Sequence, residues 1–242
     1  MRRCRMMMAG DELPAPDPID PALANLAEDG ALHVALEPRE DGRSFTATFV
    51  APDERGVLSD EAGVLSLHGL RVLSASIGSH AGSTVNSFVV APRFGSPPEA
   101  ALLRQELVRA RSGDLDLLGA LETKDRAERE SRLPERTARA VPVSAALAPP
   151  RIIWFEGSEA DQVVLEIRSE DRIGLLCRLA DVFEHVGADV RWARVSTLGS
   201  TVIDSFCVDL AGAHTRVSRE HLEKELLSVL PAPEPPAPAD RP

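Results

Sequence analysis

The feature that most constrains this chain is that it repeats itself. Setting each residue on the one 118 positions later aligns GVLSDEAGVLSLHGLRVLSASIGSHAGSTVNSFVV (Gly56 to Val90) with GLLCRLADVFEHVGADVRWARVSTLGSTVIDSFCV (Gly174 to Val208), without a gap. Asp53 falls on Asp171, Gly56 on Gly174, Gly69 on Gly187, and Ser87-Phe88 on Ser205-Phe206. The coincidences sit at glycines and apolar positions, where a shared backbone demands them. The chain is two copies of one module.

Each copy reads alike. A strand of period two comes first, Phe45-Ala47-Phe49 in one and Val163-Leu165-Ile167 in the other. An acidic turn ending in glycine leads into a helix whose apolar residues step at helical spacing, as in Leu175/Leu176, Leu179/Ala180, Val182/Phe183 and Val186. Gly69 and Gly187 stand where a left-handed residue closes a helix. Two strands follow, Val72–Ile77 with Val85–Val90, and Val190–Val195 with Val202–Val208. Glycine turns join them. A closing helix runs from about Pro98 to Arg111 in the first copy, and from about Arg219 to Leu230 in the second, with Ser218 as N-cap.

Leading segments at Leu32–Leu36 and Arg151–Phe155 add a hairpin strand to each copy and give the order ββαββα. Arg151–Phe155 is open to assignment to either module. The expected fold is α+β: two ferredoxin-like plaits whose edge strand has moved to the front, joined by a partly helical linker. The boundaries read as a 1–30 tail or end of a connecting helix, a 31–111 module, a 112–150 linker, a 151–230 module and a disordered 231–242 tail rich in proline.

Composition narrows the function classes. A formal net charge of -11 leaves no basic face to track a phosphate backbone, so nucleic acid is not the expected partner. No apolar run nears the roughly 20 residues a membrane span needs, and the basic start MRRCRMMMAG lacks the apolar core of a secretory signal. Three cysteines (Cys4, Cys177, Cys207), two of them in apolar-periodic segments, read as reduced thiols in a cytoplasmic protein.

The turn and what surrounds it resemble a known family. DERGVLS and EDRIGLL, each followed by an apolar helix ending in glycine and then a strand, are similar to the D-R-P-G-L-L signature of ACT domains, which bind amino acids. The runs ARVSTLG and VIDSF make the second copy similar to the C-terminal ACT pair of the PII-protein uridylyltransferase/uridylyl-removing enzymes, and the first copy to their penultimate module. The resemblance covers residues 31 to 230. Two departures stand out: the proline of the turn is Arg55 in one copy and Ile173 in the other.

The resemblance implies an amino-acid-sensing regulatory pair, with glutamine as effector and the PII protein as an indirect partner. It also implies intramolecular pairing of the modules or a homodimer. The catalytic parts, which need magnesium and UTP, would lie elsewhere in a larger enzyme or be separately encoded. The N-terminal segment would then be the end of the helix joining them. In this chain no catalytic residue, cofactor or metal site is expected. None of the six histidines precedes an aspartate, and the D-x-D of Asp114 and Asp116 lies in the linker as a helix boundary. The competing expectation is an ACT module without ligand that only pairs.

Physical chemistry allows two readings of the turn. The free amides and positive dipole end of a helix seat a carboxylate, and glycine lets it approach. Gly56, Val57 and Leu58 would then hold one ligand and Gly174, Leu175 and Leu176 another, with Asp53 or Asp171 accepting from the ammonium. Alternatively the aspartate caps the helix and the glycine only makes the turn. Asn86 and Asp204, aligned at the start of a strand, are candidates for the cleft between modules. Trp192 and Phe206 read as core, and His80 as a loop residue.

Overall fold

The protein, here as a computed structural model, is described over residues 21–138, 149–157, 161–211 and 217–231. The expected N-terminal connecting segment before Pro21, Cys4, and the C-terminal tail from residue 232 lie outside them. A short helix α1 (Pro21–Glu28) precedes the first repeat, which runs β1 (His33–Pro38), β2 (Phe45–Pro52), α2 (Val57–Leu67), β3 (Leu70–Ile77), β4 (Ser79–His80), β5 (Ser83–Pro92) and α3 (Ala100–Arg111). Helix α4 (Leu117–Ala138) follows. The second repeat runs β6 (Arg151–Glu156), β7 (Gln162–Glu170), α5 (Leu175–Val186), β8 (Asp189–Leu198), β9 (Thr201–Asp209) and α6 (Arg219–Val229).

Both leading strands form the hairpins read from the sequence. His33 pairs with Val50 and Pro38 with Phe45, while Arg151 pairs with Arg168 and Glu156 with Val163, all antiparallel. Ser218 caps α6 by accepting from the His221 N–H at 3.2 Å. The short β4 beside His80 was not foreseen.

All the described strands join one antiparallel sheet in the order β1-β2-β5-β3-β8-β9-β7-β6, with β4 attached to β5. Alternation explains which face is buried. Ala47 and Phe49 of β2, and Val163, Leu165 and Ile167 of β7, point into the main core. Phe88 packs edge-on to Phe49 at 5.7 Å, and its repeat counterpart Phe206 lies 4.9 Å from Phe183. On the opposite face Val50 and Val85 meet Ala27 of α1. Phe206 is core as expected; Trp192 is only half-buried.

The halves are joined by symmetry. Strand β3 pairs antiparallel with β8 so that Ser76 stands opposite Arg194, its own repeat counterpart. In the helix layer Ser59 Oγ donates to the Cys177 carbonyl at 3.1 Å, and these two are also counterparts. A pseudo-twofold axis therefore passes through both contacts, as in an isologous dimer made within one chain. The pairing also covers two sheet edges that would otherwise be open.

The expected partly helical linker does contain a helix. Residues 117–138 form a 22-residue helix, and Leu117 and Leu121 are buried in the main core. The charged run after Leu121 hid an apolar first turn (LLGAL) that anchors the helix. Asp116 accepts from the Gly119 N–H at 3.0 Å and Asp114 from Ser112 Oγ at 2.7 Å, so the D-x-D pair marks a helix boundary as read.

Candidate functional site

The two acidic turns have the same backbone. Gly56 and Gly174 are left-handed, with φ of 83° and 72°, and neither α2 nor α5 has a side-chain cap. The capping reading of Asp53 and Asp171 is thus corrected. Their backbone amides instead donate to Gly82 and Ser200 carbonyls, at 3.0 and 2.8 Å, pinning each turn to a strand turn. Just after each left-handed glycine the first helical amide donates back into the turn, Val57 to the Glu54 carbonyl at 3.4 Å and Leu175 to that of Arg172 at 3.2 Å. Arg55, in place of the motif's proline, donates to the Glu184 carbonyl at the C-terminal end of α5 (3.2 Å). Ile173, in the same place in the second copy, is buried in the core.

The twofold sets each turn against the other half. Around Gly56 this leaves a cavity of about 730 Å³, lined on one side by Asp53, Gly56, Val57, Leu58 and Asn86, and on the other by Glu184 to Val190. Four residues anticipated at the first turn and one anticipated in the cleft therefore come together. The wall is acid-rich: Asp53, Glu54, Glu184 and Asp189 face Arg55 and His185. Burial raises the Glu184 carboxyl, reinforced by Asp181 and opposed by Arg55. Nearby, burial pushes Asp60 up to about 6 against the pull of Arg111.

Asn86 is fully buried at the cavity floor. Its Nδ2 donates to Glu61 Oε2 at 2.7 Å, and its Oδ1 accepts a long bond from the Gly78 N–H at 3.4 Å. Glu61 is also fully buried, and burial pushes its carboxyl up to about 8. Sequence reading missed Glu61; the signal was an acid on the apolar stripe of α2, where the second copy has Leu179.

The equivalent place at Gly174 is shut. Asp171, Leu175, Leu176 and Asp204 border a space of only about 30 Å³. Asp171 Oδ2 is held by Arg71 Nε at 2.9 Å and lies 3.6 Å from Arg93 Nη2, both from the first half. Leu121 of α4 lies over the turn, its Cδ1 3.0 Å from where a Gly174 side chain would begin. Asp204 takes the Ser196 N–H at 3.3 Å, and burial pushes its carboxyl to about 8. Nothing in the repeat alignment announced this asymmetry, because Arg71, Arg93 and α4 have no matching counterparts. His80 stays half-buried in β4. Among the described residues no group of His, Cys, Asp or Glu is arranged to hold a metal, and no helix is long and apolar enough to cross a membrane.

Comparison with known proteins fits one larger enzyme. The bifunctional uridylyltransferase/uridylyl-removing enzyme of Mycobacterium tuberculosis is 45% identical over 235 residues, 96% of this chain. This chain is homologous to one region of that enzyme. It spans 29% of the relative's length. The enzymes of the same name from Streptomyces coelicolor and Rhodospirillum rubrum are 38% and 32% identical over 66% and 85% of the chain, which spans 19% and 22% of them. No protein-family model matches. A solved structure of an unknown protein from Galdieria sulphuraria covers 77% of this chain and 88% of its own at 16% identity, and its TM-score of 0.23 is too low to bear on the fold.

Proposed function

We propose that the chain is the C-terminal regulatory region of a uridylyltransferase/uridylyl-removing enzyme. It is a pair of ACT domains that senses an amino acid, glutamine, in the cavity at the Gly56 turn. The observation that supports this most is the cavity itself. It places an uncapped helix N-terminus, a free-standing carboxylate at Asp53 and a buried amide at Asn86 around one space, and ordinary ligand pockets are of that size. The ligand carboxylate sits against Gly56, Val57 and Leu58 at the helix N-terminus, the ammonium donates to Asp53, and the side chain reaches toward Asn86.

Because the cavity walls come from both halves, a bound amino acid braces the joint between them. That brace is the signal read by the rest of the enzyme, whose transferase and hydrolytic parts act on the PII protein with magnesium and UTP. At the Gly174 turn the clasp of Arg71 on Asp171 favours a purely architectural role. The pairing-only reading applies there, and this turn takes no second ligand.

A thermal melt in the presence of each of the twenty amino acids tests the reading. A ligand that binds only the folded chain stabilises it by RT ln(1 + [L]/Kd), about 2.7 kcal/mol at a hundredfold excess over Kd. Glutamine is expected to raise the midpoint. If none of the twenty shifts it, the chain is a pairing module alone.

A further inference from the structure

The repeat copies backbone positions faithfully, so the places where buried chemistry differs carry information. At the open cavity the floor is Asn86 bonded to Glu61; at the shut one the counterparts are Asp204 and Leu179. A carboxyl and an amide side chain buried between a helix and a sheet cost stability unless they are hydrogen-bonded, and here they bond each other. Their geometry fixes one acceptor. The Gly78 N–H is a donor, so the amide atom facing it is Oδ1, and Nδ2 is thereby committed to Glu61 Oε2. Oδ1 receives only the 3.4 Å contact and keeps a lone pair to spare, on a fully buried side chain of a residue that lines the cavity.

We infer that Asn86, held in this orientation by Glu61, is the specificity-determining residue of the open cavity, selecting an α-amino acid with an uncharged hydrogen-bond-donating side chain, such as a carboxamide, over its carboxylate counterpart. This rests on the proposal that the cavity binds an amino acid. A carboxamide N–H donates to Oδ1. A side-chain carboxylate brings an acceptor against an acceptor, inside a wall that already carries Asp53, Glu54, Glu184 and Asp189 against Arg55. A site built to take a hydrogen bond rejects the analogue that cannot give it. Glu61 is a positioning residue. Burial keeps its carboxyl protonated at neutral pH, so it adds no charge beneath the ligand. Its Oε1 has no hydrogen-bond partner among the described residues.

Titration calorimetry on the whole chain with L-glutamine and L-glutamate tests this, with L-alanine as a probe of the carboxylate and ammonium seats alone. The original chain is expected to bind glutamine about tenfold or more tightly than glutamate. Glu61→Leu copies the second module, so it is expected to fold. It should bring the glutamine-to-glutamate ratio toward unity while leaving alanine binding unchanged. Asn86→Ala should likewise bring the glutamine-to-glutamate ratio toward unity. Equal affinity of the original chain for glutamine and glutamate overturns the inference while leaving amino-acid binding intact. So does a ratio that survives both substitutions. If no amino acid binds the original chain, the binding proposal fails and takes this inference with it.

Discussion

Asp53 and Asp171 are the same residue of the same motif, yet their surroundings give them different work. Asp53 borders open space, whereas Asp171 is engaged by Arg71 and lies beside Arg93. Asp53→Asn is therefore expected to weaken amino-acid binding with little change in melting, and Asp171→Asn to lower the melting midpoint without changing affinity; calorimetry and a melt on each variant separate the two. A second residue-scale prediction concerns pH. Burial raises Glu61 and Asp204 to about 8, so between their ordinary values and pH 8 the folded chain keeps protons that the unfolded chain has released. Stability must then fall as pH rises through that window and level off above it. Asp60, raised to about 6, adds to the lower part of the same fall. Melting from pH 5 to pH 9 is expected to show this decline, flattened in Glu61→Gln and Asp204→Asn. A melt that rises steadily across the range would contradict the burial of both carboxyls. Asn86 and Asp204 were legible because the repeat aligns them; Glu61 was not, because an acid on an apolar stripe looks like a solvated edge until the packing is seen.

At the scale of elements, strands and the two principal helices were legible because alternation, helical spacing and glycine punctuation agreed in both copies. Helix α4 was legible only as the helical part of a linker, and the tertiary fold adds that Leu117 and Leu121 enter the core. Lys124 on the same helix donates to the Leu67 and Ser66 carbonyls, at 2.7 and 3.3 Å, placing a cation at the C-terminal end of α2 as Arg55 does for α5. Leu121→Ala deletes a fully buried side chain over the Gly174 turn. Chemical denaturation is expected to show a loss of about 2–5 kcal/mol. A loss below about 0.5 kcal/mol, the range of surface changes, would place Leu121 outside the core.

For the whole molecule, the two copies meet in an isologous joint with two equivalent turns, and α4, together with Arg71 and Arg93 of the first copy, closes the space at one of them. The twofold was implicit in the gapless alignment, but which edges meet was not, since the same modules can pair through sheets or helices. The β3–β8 register and the Ser59–Cys177 contact settle that for this chain. The asymmetry of the sites comes from α4 and the two arginines, which no repeat pattern encodes. The measurement that tests this most directly is the stoichiometry of glutamine binding to the whole chain by titration calorimetry, repeated on Gly56→Val. Valine strains a backbone at φ 83° and places a side chain against Glu184 Oε2, which lies 2.9 Å from its first carbon, so circular dichroism must first show that the variant folds. The expected result is one glutamine per chain, lost in the variant. Two glutamines per chain, or one that persists in folded Gly56→Val, would contradict it.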